Sequence, residues 1–123
     1  MSATIYLFDD DADILLMCQI VLQRQGYEVY TSDTCESIVE KVTSVNAALV
    51  IMDNKIPPEG GIKAIQLLKN NPATSGIPVI FSSANLDVER LSHEAGADYH
   101  ISKPFELSEF EDLVASIINR HAK

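Results

Sequence analysis

Residues 47–53 read AALVIMD, an apolar run that ends in the carboxylate of Asp53. A continuous apolar run of this length, without polar alternation, is typical of a strand buried on both faces of a parallel sheet. The same arrangement occurs near the beginning of the chain, where the run at residues 5–8 (IYLF) leads into three consecutive aspartates, residues 9–11. We therefore expect two buried strands that each carry acidic side chains to one end of a sheet.

Two further apolar runs end in groups that suit phosphate. The run at residues 78–81 (PVIF) leads into Ser82 and Ser83, and the run at residues 99–102 (YHIS) leads into Lys103. If the strands are parallel, all four endings meet at the carboxyl edge of one sheet, which is where ligands bind in open α/β sheets. We expect acids, a hydroxyl and an ammonium to share one cleft.

Strand-like and helix-like segments alternate five times along the chain, separated by short Gly, Pro or Asn turns. This βα repeat predicts a parallel sheet that is covered by helices on both faces. Gly26 and Gly96 fall just past two helix ends, where Gly relieves a left-handed turn. The predicted strands lie near residues 4–8, 27–31, 47–52, 78–82 and 99–102, and the predicted helices near 13–25, 35–44, 61–70, 87–95 and 107–120.

The composition narrows the class of protein. At 123 residues we expect a single domain over 1–123, and no apolar stretch approaches the roughly 20 residues that span a bilayer. The net charge of −9 argues against direct binding to nucleic acid, which normally needs a basic surface. The chain does not begin with a basic segment followed by an apolar one, so we expect a cytoplasmic protein. Cys18 and Cys35 lack metal-ligand spacing and are expected to be reduced, structural thiols.

The acidic cluster predicts a cation site. Neighbouring carboxylates repel and raise one another's pKa unless a positive charge lies among them. Mg²⁺, or Mn²⁺ in its place, suits hard oxygen ligands and keeps several waters and phosphate oxygens in its shell. Lys103 and Ser83 at the same edge could hold phosphoryl oxygens while a carboxylate attacks phosphorus and forms an acyl phosphate.

Taken together, these motifs resemble the receiver domain of two-component response regulators, similar to a chemotaxis receiver, over essentially the whole chain. The resemblance implies a flavodoxin-like (βα)5 three-layer sandwich, with a five-stranded parallel sheet in the order 2-1-3-4-5. It also implies that Asp10 is a direct Mg²⁺ ligand and that Asp9 acts mainly through water. Asp53 would be both the phosphoacceptor and a metal ligand, and Lys55 would offer the metal its backbone carbonyl.

The resemblance assigns the remaining rim residues as well. Ser83, followed by the small Ala84, would be the hydroxyl switch. Ser82 is the weaker alternative, because alternation along the strand places it on the opposite side. Lys103 would bind the phosphoryl group, and the peptide bond before Pro104 is commonly cis in the family. Asp13 we interpret as a helix cap, and Asp11 as a solvated neighbour of the site.

Two departures from the family pattern give further predictions. His100 stands where the family usually has a Tyr or Phe that moves with the hydroxyl switch, so we expect activation to depend on pH between about 5.5 and 7.5. Lys55 and Asn85, each two residues beyond a site residue, flank the path of the attacking water in the family and are expected to affect acyl-phosphate lifetime. Whether the Lys55 side chain shields the phosphoryl group or points to solvent stays open.

The first predicted helix is apolar on more than one face. Leu16 and Ile20 fall among polar positions, so they either pack against a neighbouring helix or form a docking surface for a partner helix beside the acidic rim. The sequence leaves both interpretations open.

The leading functional hypothesis is a phosphorylation switch that takes its phosphoryl group from a histidine kinase or a histidine phosphotransfer protein. Few residues follow the last predicted helix, so we expect its output to be altered binding of a protein partner, as a monomer or a phosphorylation-linked dimer. It would catalyse its own phosphorylation and dephosphorylation without turning over external substrates. The alternatives are an interaction module that is not phosphorylated, and a haloacid-dehalogenase-like phosphatase, which turnover of a phosphomonoester would reveal.

Overall fold

Five strands and five helices alternate in the computed structural model, which describes residues 3–121. The two residues at each end of the predicted 1–123 domain lie outside the described residues. The elements are β1 (Thr4–Phe8), α1 (Ala12–Arg24), β2 (Glu28–Ser32), α2 (Ile38–Ser44), β3 (Leu49–Asp53), α3 (Gly61–Lys69), β4 (Val79–Ser83), α4 (Val88–Ala95), β5 (Tyr99–Ser102) and α5 (Leu107–His121).

All four strand pairs are parallel, and the sheet order is β2-β1-β3-β4-β5. This confirms the expected three-layer sandwich and its strand order. Because every strand runs in the same direction, the carboxyl ends of β1, β3, β4 and β5 lie along one edge of the sheet.

The central strand β3 is buried along its whole length and separates two apolar layers. Leu49 and Ile51 pack toward Phe110 on the side of α1 and α5. Val50 and Met52 alternate to the opposite face, which α2, α3 and α4 cover. Burial of each such large aliphatic side chain contributes about 1.5–3 kcal/mol, so both faces of the sheet are tightly fixed. This packing holds the strand ends, and therefore the site, in place.

Most predicted boundaries agree with the structure, and Gly26 and Gly96 adopt left-handed φ values of 93° and 83° past their helices. Helix α2 begins at Ile38, three residues later than predicted. The reason is local: the Cys35 backbone N–H donates to the Pro57 carbonyl at 2.9 Å, and Ser37 has φ of 54°. These residues join the loop after β3 instead of the helix.

The two cysteines are free, buried thiols, as predicted, and they lie on opposite faces of the sheet. Burial raises the pKa of the Cys18 thiol to about 11. No helix within residues 3–121 is long and apolar enough to cross a bilayer.

Candidate functional site

The carboxyl edge of the sheet brings three aspartates together. Asp9 and Asp10 follow β1, and Asp53 ends β3. One carboxylate oxygen from each of the three lies within 4.8 Å of the others. Asp9 and Asp53 are buried, whereas Asp10 is exposed. The convergence predicted from the apolar runs is therefore present in the folded chain.

The ammonium of Lys103, just past β5, bridges two of these acids. Its Nζ donates to Asp9 Oδ2 at 2.7 Å and to Asp53 Oδ1 at 2.8 Å. Burial acts to lower the pKa of Lys103, but the hydrogen bonds to both carboxylates outweigh it and raise that pKa. For Asp9 the balance is the reverse, because burial raises its pKa more than the bond from Lys103 lowers it. Lys103 therefore stays protonated, whereas burial makes the ionisation of Asp9 less favourable than it would be in water.

Backbone N–H groups orient the two buried carboxylates. The Asp11 N–H donates to Asp9 Oδ1 at 2.9 Å, and the Lys55 N–H donates to Asp53 Oδ2 at 3.1 Å. Both oxygens of each carboxylate therefore have a donor, which fixes the plane of the group. The loops after β1 and β3 supply these donors because they turn sharply over the ends of their strands.

The start of α3 presses against the backbone of Asp53. A Cβ atom added at Gly61 would lie 2.1 Å from the Asp53 carbonyl oxygen, a distance that no side chain tolerates. The Gly61 N–H also donates to the Asn54 carbonyl at 2.9 Å. Gly61 thus allows the helix to fix the backbone position of Asp53.

The hydroxyl of Ser83, at the end of β4, accepts two hydrogen bonds. The backbone N–H of Asn85 donates to Ser83 Oγ at 3.0 Å, and the Asn54 side-chain amide donates to the same oxygen at 3.4 Å. The Lys103 backbone N–H donates to the Ser83 carbonyl at 2.8 Å. Ser83 is therefore linked both to the loop after Asp53 and to the segment that carries Lys103.

Ser82 points to the side of the sheet opposite to Ser83, as strand alternation predicts. It pairs in register with Asp53 and, with Asp9 and Asp53, lines a cavity of about 20 Å³ beneath the acids. Among the described residues, the Ser82 hydroxyl is the one buried side-chain polar group without a hydrogen-bond partner. The cavity is large enough for about one water molecule.

The acidic cluster fits a divalent cation. Lys103 supplies one positive charge beside three carboxylates, so the local charge stays negative. Asp10 is the exposed member of the cluster and can bind a partly hydrated ion from the solvent side. Mg²⁺ commonly uses one or two carboxylates and keeps waters elsewhere in its shell.

The residues at which the sequence departs from the family are all exposed. The Lys55 side chain and the Asn85 side chain are exposed. Asn85 Oδ1 accepts from the Asp87 N–H at 2.8 Å and shapes the loop into α4. His100 is exposed on the edge strand β5, opposite Phe81. The peptide bond between Lys103 and Pro104 is cis, as the resemblance implied.

The structure corrects one prediction about the first helix and bears on another. The capping residue is Asp11, whose carboxylate accepts from the N–H groups of Asp13 and Ile14, so the assignment of the cap to Asp13 was wrong. The helix begins at Ala12, and this makes Asp11 the residue that precedes its first turn. Leu16 and Ile20 are 57% and 47% exposed, so about half of each side chain is open to solvent.

Two features of the site were not predicted from the sequence: the hydrogen bond from the Asn54 amide to Ser83, and the position of Ser82 beneath the acids. The register between β3 and β4 decides both, because it pairs Asp53 with Ser82 and brings the next residues, Asn54 and Ser83, together. No motif in the sequence specifies that register.

Comparison with known proteins agrees with this geometry. The sequence model of the response regulator receiver domain matches residues 5–115. The chain is 28% identical to sporulation initiation phosphotransferase F of Bacillus subtilis, over 93% of this chain and 92% of that protein. It is 29% identical to the phosphate regulon transcriptional regulatory protein PhoB of Klebsiella pneumoniae, over 98% of this chain. The chain spans about half, 53%, of the length of PhoB.

A solved structure has the same fold. The CheY-like response regulator receiver domain protein from Methanospirillum hungatei superimposes with a TM-score of 0.87 at 24% identity, covering 98% of this chain and 96% of that one.

Proposed function

We infer the function of this chain from the family to which it belongs, the response regulator receiver domains, whose sequence model matches residues 5–115. The chain is a phosphorylation-dependent signalling switch. We propose that Asp53 accepts the phosphoryl group. The observation that carries this assignment is the position of its carboxylate, which is buried, held by the Lys55 N–H and by Lys103, and adjacent to two further acids.

In the proposed reaction an Asp53 carboxylate oxygen attacks the phosphorus of a phosphohistidine. A new P–O bond forms, the P–N bond breaks, and the imidazole leaves with the electron pair and takes up a proton. Lys103 then stabilises the charge on the transferred group, since its ammonium already contacts Asp53 Oδ1 at 2.8 Å. The Ser83 hydroxyl donates to a phosphoryl oxygen, and its movement carries the change to the rest of the molecule.

Mg²⁺, when bound, would supply positive charge to the phosphoryl oxygens. We propose that Asp10 and Asp53 bind it directly, that Asp9 contributes through water, and that the Lys55 carbonyl completes the protein ligands. The cluster of three carboxylate oxygens within 4.8 Å supports this set.

The phosphodonor is proposed to be a histidine kinase or a histidine phosphotransfer protein. The α1 patch, formed by Leu16, Met17 and Ile20, supports a docking surface for it: these side chains are 57%, 48% and 47% exposed on the helix that begins at the acidic rim. An apolar helix face of the partner could pack there and bring its histidine to the site.

The α1 patch can be tested separately from the chemistry. The double variant Leu16→Ser and Ile20→Ser should take phosphate from a phosphohistidine protein at least several-fold more slowly, with an unchanged rate from acetyl phosphate. Leu67→Ser, at an apolar position on α3 that is 48% exposed, is the matched control. Equal rates from the phosphohistidine protein for the double variant and the wild type would reject the docking surface.

Intact-mass spectrometry tests the proposed switch. After incubation with acetyl phosphate and Mg²⁺, the wild type should gain the mass of one phosphoryl group. The gain should disappear in Asp53→Ala and in a chelator control. A wild type that binds Mg²⁺ without gaining mass would instead favour an interaction module that is not phosphorylated. We further propose that no external phosphomonoester is turned over.

A further inference from the structure

The contact between Asn54 and Ser83 suggests a role for a residue that no sequence motif marks. Asn54 follows Asp53 directly, and its backbone is fixed independently of its side chain: its N–H donates to the Ser82 carbonyl and its carbonyl accepts from the Gly61 N–H, both at 2.9 Å. The side-chain amide is therefore free to serve a second purpose. Its hydrogen-bond partner among residues 3–121 is Ser83 Oγ.

The two hydrogen bonds that Ser83 Oγ accepts restrict what its proton can do. A hydroxyl oxygen has two lone pairs and one proton. The Asn85 backbone N–H and the Asn54 amide both donate to this oxygen, at 3.0 and 3.4 Å, so both lone pairs are occupied. The O–H bond then points in the remaining tetrahedral direction, away from these two donors.

We propose that Asn54 is a positioning residue for phosphoryl transfer: its amide keeps the Ser83 hydroxyl an acceptor toward the protein, so that its proton is available to a phosphoryl oxygen. This inference rests on the proposed function of Asp53 and Ser83. The opposite amide orientation, with Oδ1 facing Ser83, would bind the proton and withhold it, so the direction of this hydrogen bond matters.

The test is a double-mutant cycle on the rate of phosphorylation by acetyl phosphate at saturating Mg²⁺. Asn54→Ala removes the amide and keeps both backbone hydrogen bonds. It should slow phosphorylation by about 2- to 10-fold, the range expected for one hydrogen bond. In a Ser83→Ala background the same substitution should have no further effect, because its partner is already gone. Asn119→Ala, at an exposed position near the end of α5, is the control.

A purely structural role for Asn54 makes different predictions. It would lower the melting temperature or the Mg²⁺ affinity measured by calorimetry, both of which should be unchanged if Asn54 acts through Ser83. Should Asn54→Ala fail to fold, Asn54→Leu keeps a similar shape without an N–H donor and takes its place in the cycle.

The outcomes separate the inference from the function on which it rests. A wild type that takes no phosphoryl group overturns the proposed function and the inference with it. If the wild type is phosphorylated, four results overturn the inference alone. These are an unchanged rate in Asn54→Ala, a faster rate, an equal slowing in the Ser83→Ala background, or a lower melting temperature or Mg²⁺ affinity in Asn54→Ala.

Discussion

Replacement of Lys103 by Met tests the electrostatic balance of the site. The ammonium makes hydrogen bonds of 2.7 and 2.8 Å to Asp9 and Asp53, whose side chains are only 8% and 7% exposed. Removing one partner of a buried ion pair typically costs about 3–5 kcal/mol, because the remaining charge is buried and uncompensated. The Lys103 side chain is 15% exposed, so we take a lower value, about 2–3 kcal/mol, for the free energy of unfolding without metal.

Urea denaturation at pH 7 measures this cost. In chelator the unfolding midpoint of Lys103→Met should fall by about 1–2 M urea. Saturating Mg²⁺ should then reduce the difference from wild type, because the cation supplies the missing positive charge among the carboxylates. Lys55→Met removes a charge from the same rim but from an exposed side chain, so its stability should change by less than about 0.5 kcal/mol. If Lys103→Met is as stable as Lys55→Met in chelator, the Lys103 ion pairs do not stabilise the fold as proposed.

Four further predictions concern single residues at the site. Burial raises the pKa of Asp9 above its value of about 3.8 in the unfolded chain. The contribution of Asp9 to the free energy of unfolding therefore falls as the pH rises from that value through the pKa in the folded protein. Because Lys103 keeps its ion pair with Asp53, Asp9→Asn should therefore unfold at higher urea than wild type at pH 7 in chelator, and equal midpoints would contradict this. Gly61→Ala should lower stability by more than about 1 kcal/mol, because its Cβ would meet the Asp53 carbonyl at 2.1 Å, and an unchanged midpoint would contradict that packing. Lys55→Met should change the decay rate of the phosphorylated protein if the lysine shields the phosphoryl group, whereas decay identical to wild type would place the side chain in solvent. His100→Phe should remove the pH dependence of activation between about 5.5 and 7.5, and a wild type whose response is already flat there would reject a role for the imidazole.

The strands that form the site were predictable because their apolar runs end in polar residues. Each apolar run, before Asp53 and before Ser83, indicates a buried strand, and the polar residue after it indicates that the carboxyl end of that strand lies at the site. The helices followed from alternation and length, since parallel neighbours require crossovers. The main boundary error, at the start of α2, arose because the Cys35 N–H pairs with the Pro57 carbonyl, which is a contact between distant parts of the chain.

The finer features of the site depend on register and were not predictable. Alternation along the strand places Ser82 and Ser83 on opposite sides, but it does not show that Ser82 lines a buried cavity or that two asparagines donate to Ser83. The helix cap was assigned to Asp13 instead of Asp11 because the two acids lie only two residues apart at the start of the helix. Such details follow from packing that one sequence does not display.

The site of phosphorylation is the most direct test of the account. The protein is phosphorylated with acetyl phosphate and Mg²⁺ and treated with borohydride, which reduces an aspartyl phosphate to homoserine, and its peptides are then sequenced by mass spectrometry. We expect homoserine at position 53 and retention of Asp9 and Asp10 as aspartate. Reduction at Asp9 or Asp10 with Asp53 unchanged would contradict the assignment of the phosphoacceptor.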